Sequence, residues 1–502
     1  MNQIRAGVIL NYVIIILNIL LGLLYTPYML RMLGKNEYGL YSLVASIIAY
    51  LTILDCGLGN AIVRYTAKFK LNGENYKMWN MFGMILILYL FIGLLTVLLG
   101  GILYYNVDSL FAQNMSIEEL EKSKVMILLL IFNLALTFPL SIFGSIITAY
   151  EDFIFQRVLT IIRLLISSLV IVALLSVGYK SVAMVVTQTI FNILFLVINC
   201  VYCFYKLKIK VRFGKIDYLF LKEILMYSFW VFLSVMIDRF YWSTGQFVIG
   251  KLLGTAAVAI FSVAILLQQM YMTFSSSISN VLLPKVTSLV SNGDNNDISN
   301  FFIKTGRLQC IVMTLILFGF FLFGKDFIRL WAGEEYIQSY YIALIFFIGL
   351  YTPTIQSVGY TILQARNKMK FRSLCYLIIS IFSLFFQYYF TIYYGVIGCG
   401  LAIGGALLLG QGLIMNIYYD RVHHLKIALF WKNILNYLKM PLILTFVVYL
   451  CYSFISVNGY RDLFLLILIY VVLYSLSVYF FSLNSYERQL VGLILNRIVP
   501  RK

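Results

Sequence analysis

Apolar runs of about 20 residues recur along most of this sequence and are separated by short polar connections. A run of that length can cross the hydrocarbon core of a bilayer as a helix. The sequence therefore predicts an all-α polytopic membrane protein with about fourteen transmembrane helices. The predicted spans are 8–30, 39–63, 79–104, 125–148, 157–176, 182–204, 224–248, 257–283, 308–324, 339–363, 374–393, 396–418, 441–457 and 463–482.

The amino-acid composition agrees with that class. Apolar residues make up 62% of the 502 residues, charged residues make up 12%, and the mean hydropathy is +0.92. These values are far from those of a soluble domain. The first run, Val8 to Tyr28, has one charge before it and no small-residue cleavage pattern after it. It therefore reads as a retained span and not as a removed signal peptide.

The distribution of positive charge predicts the topology. The net charge of +18 raises the alternative of a nucleic-acid partner. When every second connection is taken from the N-terminus onward, 27 Lys and Arg residues fall in one set and 9 in the other. Cytoplasmic loops carry such an excess of Lys and Arg. We therefore predict that the first set and both termini are cytoplasmic, and that no nucleic acid is bound.

The stretch from Gly34 to Asn75 is a long apolar helix between two polar turns, and a looser copy follows 220 residues later. No gap is needed, and the identities fall at predicted helix ends. The matched pairs are Leu33-Gly34 with Leu253-Gly254, Ser42 with Ser262, Asn60 with Asn280, Asn72-Gly73 with Asn292-Gly293, and Asn75 with Asn295. This pattern predicts an internal duplication.

The duplication also predicts a domain organisation. The offset contains six predicted spans, an even number, so the two copies have the same orientation and are related by an axis along the membrane normal. Spans 1–6 and spans 7–12 then form two lobes, and two C-terminal helices are left over. The predicted domains are residues 1–212, 213–426 and 427–502, the last including a cytoplasmic tail.

Two segments carry a resemblance to a known family. Residues 33–42 read Leu-Gly-x-x-x-Tyr-Gly-x-Tyr-Ser, and residues 55–64 read Asp-x-Gly-Leu-Gly-Asn-Ala-x-x-Arg. Both resemble the polysaccharide (Wzx-type, O-antigen) flippases, which share a superfamily with the lipid II flippases and the multidrug (MATE) antiporters. The resemblance covers roughly the whole chain.

The resemblance implies a MATE-like V-shaped arrangement of the two lobes in the bacterial cytoplasmic membrane. It implies an undecaprenyl-diphosphate-linked oligosaccharide as substrate, for O-antigen, lipopolysaccharide or another surface polysaccharide. The implied partners are the lipid bilayer, a glycan polymerase and other assembly proteins.

Four charged residues lie well inside predicted spans: Asp55, Arg163, Asp238 and Arg239. A charge at mid-helix costs about 2.5–3.5 kcal/mol on insertion scales, so such residues usually face a wet cavity or a partner. Interhelical salt bridges are therefore an alternative to a transport role for each. Arg163 also belongs to a polar stripe with Gln156, Thr160 and Ser167, at spacings typical of one helix face.

We accordingly predict a substrate-binding cavity formed by Arg163, Arg239, Asn60 and Arg64, in which the arginines hold a diphosphate. The alternative for Arg64 is snorkelling to lipid headgroups. Asp238, and with less support Asp55, would couple transport to a proton or sodium gradient. We predict no catalytic residue, no metal and no other cofactor, because the histidines, His423 and His424, lie together in one basic loop and the cysteines form no zinc-binding pattern.

Two other functions compete with lipid-linked glycan transport. A drug or cation antiporter of the same fold is one, because a fold does not determine its substrate. The predicted cationic cavity argues against it, since organic cations are bound by carboxylates or aromatic walls. A membrane glycan polymerase or ligase is the other. Such an enzyme needs a sizeable external loop with catalytic residues, and the longest predicted external connection is about 105–124.

Overall fold

The computed structural model describes residues 3–214, 217–366 and 368–489, and all regular secondary structure within these ranges is helical. The predicted all-α class is confirmed. The helices of the described residues are α1 (Gln3–Leu51), α2 (Leu58–Leu71), α3 (Asn75–Phe111), α4 (Ile117–Ala149), α5 (Phe153–Ser176), α6 (Ser181–Tyr205), α7 (Tyr218–Leu253), α8 (Thr255–Asn292), α9 (Asn295–Trp331), α10 (Gln338–Ile355), α11 (Ser357–Ala365), α12 (Lys370–Leu407), α13 (Met415–Arg421), α14 (Ile427–Tyr452) and α15 (Tyr460–Ser477).

Eleven helical stretches in these ranges are long and apolar enough to cross a membrane, or twelve if the pair Glu334–Ile355 and Ser357–Ala365, bent by 44°, forms one span. This count does not confirm fourteen spans. Two of the stretches, Ala6–Leu71 and Lys370–Arg421, contain 66 and 52 residues. At 1.5 Å per residue they would be about 100 and 80 Å long, far beyond the bilayer core of about 30 Å.

Each of these two stretches contains a glycine with a non-helical backbone, Gly34 at φ 76° and Gly395 at φ 61°. A kink is therefore present where the sequence predicts a connection between spans, and fourteen spans stays a prediction.

The helix boundaries repeat at the offset seen in the sequence. Gly34 has φ 76° and ψ 171°, and Gly254, 220 residues later, has φ 83° and ψ −178°. Gly73 and Gly293 have φ 71° and 79°. The φ/ψ values of Gly34 and Gly254 are almost restricted to glycine, and the positive φ of Gly73 and Gly293 favours glycine, which explains the residue type at each break. Helices α3 and α9 begin and end 220 residues apart, and both contain 37 residues. These boundaries support the predicted duplication.

The chain divides into two compact units. The first comprises Met1–Ser262 with Ser383–Cys399, and the second comprises Val263–Phe382 with Gly400–Lys502. These units are defined by packing, whereas the predicted domains 1–212, 213–426 and 427–502 are defined by the repeat, and that division stays a prediction. In the first unit α2, α3 and α4 form a core with fully buried Ile62, Phe82 and Ile146.

In the second unit α9 is the central helix and packs against α10, α14 and α15. Its Arg307 forms a buried bidentate ion pair with Glu487, with Nε 2.7 Å from Oε1 and Nη2 2.9 Å from Oε2. Arg307 also donates to the carbonyl oxygens of Asn433 and Ser482, each at 3.1 Å. The segment that follows α15 is thereby attached to α9.

Candidate functional site

The Asp-x-Gly motif forms the break between α1 and α2. A short 3₁₀ turn, Thr52–Asp55, ends α1, and the next two residues, Cys56 and Gly57, have left-handed backbones at φ 51° and 68°. The hydroxyl of Tyr89 on α3 donates to Asp55 Oδ1 at 3.0 Å. A Cβ added to Gly57 would lie 2.4 Å from the side chain of Val231 on α7. Asp55, predicted for ion coupling, therefore has an interhelical partner at a tightly packed break.

Asn60 and Arg64, both predicted for the cavity, lie on α2 one turn apart and are exposed. Lys68, one further turn along, is exposed as well. The guanidinium of Arg64 lies 5.7 Å from the ring of Tyr65. The structure therefore places Asn60 and Arg64 on one exposed stripe of α2. The side chain of Asn280, the predicted counterpart of Asn60, lies outside the described side chains.

The adjacent residues Asp238 and Arg239 on α7 have different surroundings, as expected for neighbours about 100° apart on a helix. Arg239 Nη2 donates to Thr52 Oγ1 at 3.2 Å, while its buried Nε has no partner among the described residues. Asp238 is exposed. Arg239 thus contacts the 3₁₀ turn that ends α1, within the first unit.

The polar stripe of α5 separates into satisfied and unsatisfied members. Gln156 Nε2 donates to the Gly144 carbonyl on α4 at 3.0 Å, and its Oε1 accepts from Thr148 at 2.8 Å. The hydroxyls of Thr160 and Ser167 donate to carbonyls of their own helix. Arg163 is half-buried. Within residues 3–214, 217–366 and 368–489 it forms no hydrogen bond or ion pair.

A cluster of amides and hydroxyls on α4 and α6 was not predicted. Asn192 Nδ2 on α6 lies 2.6 Å from Asn133 Oδ1 and 2.8 Å from Thr137 Oγ1 on α4. One turn away on α6, Gln188 Nε2 lies 2.8 Å from the hydroxyl of Tyr41. The sequence signal was the spacing of polar residues four apart on each apolar helix. Their meeting could not be read from it, because Asn133 and Asn192 are 59 residues apart.

From the helix register we infer that Arg163 lies at about the level of that cluster. Gln156 contacts the carbonyl of Gly144, and the amide of Asn199 on α6 lies 3.8 Å from the position of a Gly144 Cβ. Arg163 lies seven residues from Gln156 on α5, Thr137 seven residues from Gly144 on α4, and Asn192 seven residues from Asn199 on α6. All three steps lead away from that contact in the same direction. Seven residues are about two turns, so each keeps its helix face to within about 20°.

We call Arg163, Asn133, Thr137, Gln188 and Asn192 the amide face of the first unit. Its amides and hydroxyls can pair with sugar hydroxyls, and a guanidinium suits the oxygens of a phosphate.

Comparison with known proteins identifies the family. Residues 4–290 match the sequence profile of the family described as "Polysaccharide biosynthesis protein". This chain belongs to that family. A curated relative, named "Putative O-antigen transporter" from Shigella flexneri, is 20% identical over 398 residues, covering 78% of this chain and 92% of the relative.

Solved structures show the fold of the family member. The structure titled lipid II flippase MurJ in an inward closed conformation has a TM-score of 0.73 at 19% identity, covering 97% of this chain and 99% of the other. An inward-facing multidrug resistance MATE family transporter of the MOP superfamily has a TM-score of 0.63 at 15% identity, covering 83% and 99%. The family member therefore shares the fold of these two structures, as the sequence resemblance implied.

The chemistry of the site agrees with a transporter of the polysaccharide flippase type. The proteins that this family member resembles are named as transporters and flippases and not as enzymes, which supports the prediction that it is not an enzyme. In the described part of the chain no three His, Cys, Asp or Glu side chains are arranged to hold a metal ion.

Proposed function

We propose that this member of the polysaccharide biosynthesis protein family moves an undecaprenyl-diphosphate-linked oligosaccharide from the inner to the outer leaflet of a bacterial cytoplasmic membrane. Family membership supports transport for surface polysaccharide synthesis. The similarity to a flippase structure over 97% of the chain supports a fold suited to lipid-linked cargo. A glycan polymerase and other assembly proteins would use the delivered units.

One observation carries the proposal: the amide face combines an unpaired arginine with neutral hydrogen-bonding groups. A guanidinium in a low-dielectric setting gains most from an anion with which it can form two parallel hydrogen bonds, and a diphosphate offers such oxygens. The amides of Asn133, Gln188 and Asn192 donate and accept at once, which suits sugar hydroxyls. Arg163 therefore holds the diphosphate, and the neighbouring amides contact the first sugars.

The remaining predicted residues have supporting roles in this proposal. Arg239 supplies a second cationic group near the end of α1, and Asn60 and Arg64 contact the cargo from the exposed stripe of α2. Asp238, exposed beside Arg239, responds to a proton or sodium ion. When Asp238 is ionised it competes with the diphosphate for Arg239. Neutralising Asp238 ends that competition and favours one conformation of the transporter. Asp55 is the weaker candidate, because Tyr89 already engages its carboxylate.

The experiment is transfer of a fluorescent polyprenyl-diphosphate glycan across proteoliposomes that contain the purified full chain. Arg163→Ala should abolish transfer, and Arg163→Lys should restore only part of it, because an ammonium cannot form the paired hydrogen bonds. Arg157→Ala is the matched control, since it removes an arginine of the same helix about 120° around from Arg163.

The outcomes separate the competing functions. Normal transfer by Arg163→Ala, with transfer by the wild type established, would exclude the role of the amide face. Export of an organic cation without glycan transfer would indicate the antiporter alternative. Polymerised glycan in the same liposomes would indicate an enzyme.

A further inference from the structure

A second polar site lies in the second unit. Three connections of the chain converge there: the turn between α8 and α9, the stretch after α11, and the turn between α13 and α14. They line a cavity of about 660 Å³, within the range of roughly 300–1,000 Å³ typical of small-molecule sites. The charge distribution of the sequence predicts that all three connections are cytoplasmic.

The described lining of this cavity is basic. Arg366, Lys368, His423 and His424 contribute to it, and its described residues include no carboxylate. Asp294 and Asp297 are adjacent in sequence to lining residues but are not part of the described lining, and Asp294 accepts from the backbone N–H of Asn296 at 2.7 Å and caps α9. The cavity therefore has a positive charge that no lining residue neutralises.

Arg366 is held in the cavity wall by neutral acceptors. Its Nη2 donates to Asn295 Oδ1 at 2.6 Å, and its Nη1 donates to the carbonyl oxygen of His423 at 3.2 Å. It forms no ion pair with any carboxylate of the described residues. A guanidinium fixed in this way keeps its charge available, and burial lowers its pKa from the usual range.

His423 supplies a second, more specific feature. Its side chain is 4% exposed, and its Nδ1 lies 3.2 Å from Arg366 Nη1. A guanidinium only donates, so Nδ1 must accept and the proton of the neutral ring is on Nε2. That buried Nε2 has no hydrogen-bond partner among the described residues. A buried donor without an acceptor is costly, and His423 is one of the residues that line the cavity, together with the cationic Arg366 and Lys368.

The backbone holds this ring in position. His424 has a left-handed conformation at φ 54°, and the N–H of Leu425 donates to the carbonyl of Tyr419 at 3.0 Å. The ring of Tyr418 packs edge-on against His423, with centroids 4.9 Å apart. Burial first, and the charges of Arg366, Lys368 and His424 after it, lower the pKa of His423 to about 4. At neutral pH the ring is therefore an uncharged N–H donor.

We propose that this cavity binds a phosphate group, with Arg366 and Lys368 supplying the charge and His423 Nε2–H donating a hydrogen bond to a phosphate oxygen. The site is independent of the transported cargo. The phosphate belongs either to the headgroup of an anionic lipid or to a soluble phosphate compound. Basic pockets between helices on the cytoplasmic side are typical sites for anionic headgroups.

The two histidines of the chain make a direct test possible. Full-length protein with isotope-labelled histidine, in phosphatidylcholine nanodiscs, gives only two imidazole environments by NMR. His424 is exposed whereas His423 is buried, so the two signals are distinguishable, and the chloride titration serves as the reference. The first arm titrates inorganic phosphate against chloride at constant ionic strength. The second arm replaces part of the lipid with phosphatidylglycerol and omits phosphate.

We expect a saturable shift of the His423 signals, and a rise of its pKa from about 4, in one of the two arms. A response to phosphate alone identifies a soluble ligand, and a response to phosphatidylglycerol alone identifies a headgroup. Arg366→Gln and Lys368→Gln should each weaken binding by about tenfold, or about 1.4 kcal/mol. Arg421→Gln, an exposed arginine outside the cavity lining, should leave it unchanged.

Either of two results would overturn the proposal. One is the absence of a saturable His423 shift with both probes. The other is equal phosphate binding by the Lys368→Gln and Arg421→Gln variants. Because Lys368 is exposed, its replacement should not disturb folding, so the test remains valid even if Arg366→Gln fails to fold.

Discussion

The Tyr89 hydroxyl and the Asp55 carboxylate are hydrogen-bonded at 3.0 Å, and the residues 220 positions later again meet. In the second unit Ser275 Oγ donates to the carbonyl of Thr354 at 2.9 Å, and the amide of Gln309, oriented to satisfy its partners, donates to the same oxygen at 3.0 Å. The direct hydrogen bond of the first unit is therefore replaced in the second unit by two donors that share the carbonyl oxygen of Thr354. At these equivalent positions the first unit has a carboxylate, Asp55, and the second unit has a hydroxyl, Ser275.

The Asp55–Tyr89 contact provides a way to separate structure from ion coupling. Asp55→Asn keeps an acceptor for the tyrosine, so the stability of the purified protein should change little. Tyr89→Phe removes the hydrogen bond and should cost about 0.6–1.7 kcal/mol, the range for interhelical polar contacts in membrane proteins. Thermal unfolding in detergent measures the stability and liposome transfer the function. Loss of transfer in Asp55→Asn at unchanged stability would show that the charge itself is used.

Gly39, the glycine of the Tyr-Gly pair in the first motif, permits a close helix approach. A Cβ there would lie 1.8 Å from the carbonyl oxygen of Thr255. Gly39→Ala must therefore displace a backbone and should destabilise the protein by about 1–3 kcal/mol or more. Gly101→Ala is the control, because nothing lies within 4 Å of its added Cβ and alanine favours a helix by roughly 0.5–1 kcal/mol. Similar unfolding temperatures for the two variants would disprove the close approach.

The Arg307–Glu487 ion pair should matter for the stability of the second unit. Both side chains are buried, at 8% and 2% exposure, so Glu487→Gln leaves a desolvated guanidinium without its counter-charge. Loss of one member of such a pair costs about 3–5 kcal/mol. Arg488→Gln, an exposed neighbour, should cost less than about 0.5 kcal/mol. If Glu487→Gln and Arg488→Gln have the same unfolding temperature in detergent, the prediction is wrong.

The predicted topology is tested by labelling. A cysteine at Lys180, which is exposed before α6, should react with an impermeant thiol reagent added outside intact cells. A cysteine at Lys368 should react only after the membrane is opened. The background is a chain in which the seven native cysteines are replaced and transport is retained. The opposite labelling pattern would reverse the orientation of every span.

Much of the fold was predictable, because its signals are local. Hydropathy identifies helices long enough to span the bilayer. Gly34 and Gly73 mark helix breaks, because each has a positive φ that favours glycine whatever its neighbours are. The span count was less secure, since α1 and α12 continue through kinks that hydropathy alone treats as connections. The two packing units were not predicted either, because the assignment of Ser383–Cys399 to the first unit depends on neighbours distant in sequence.

The sequence by itself indicated a duplicated, helical membrane protein, because hydropathy, charge distribution and glycine breaks are properties of contiguous residues, and the motifs at residues 33–42 and 55–64 carried its resemblance to the polysaccharide flippases. Only the tertiary structure decided which polar groups are satisfied. Gln156 and Arg163 belong to one stripe in the sequence, yet α4 supplies partners for the first and none for the second. Asn133 and Asn192 were inconspicuous until packing brought their helices together. A polar side chain is satisfied or available according to its neighbours from other helices, and sequence spacing along one helix does not contain that information.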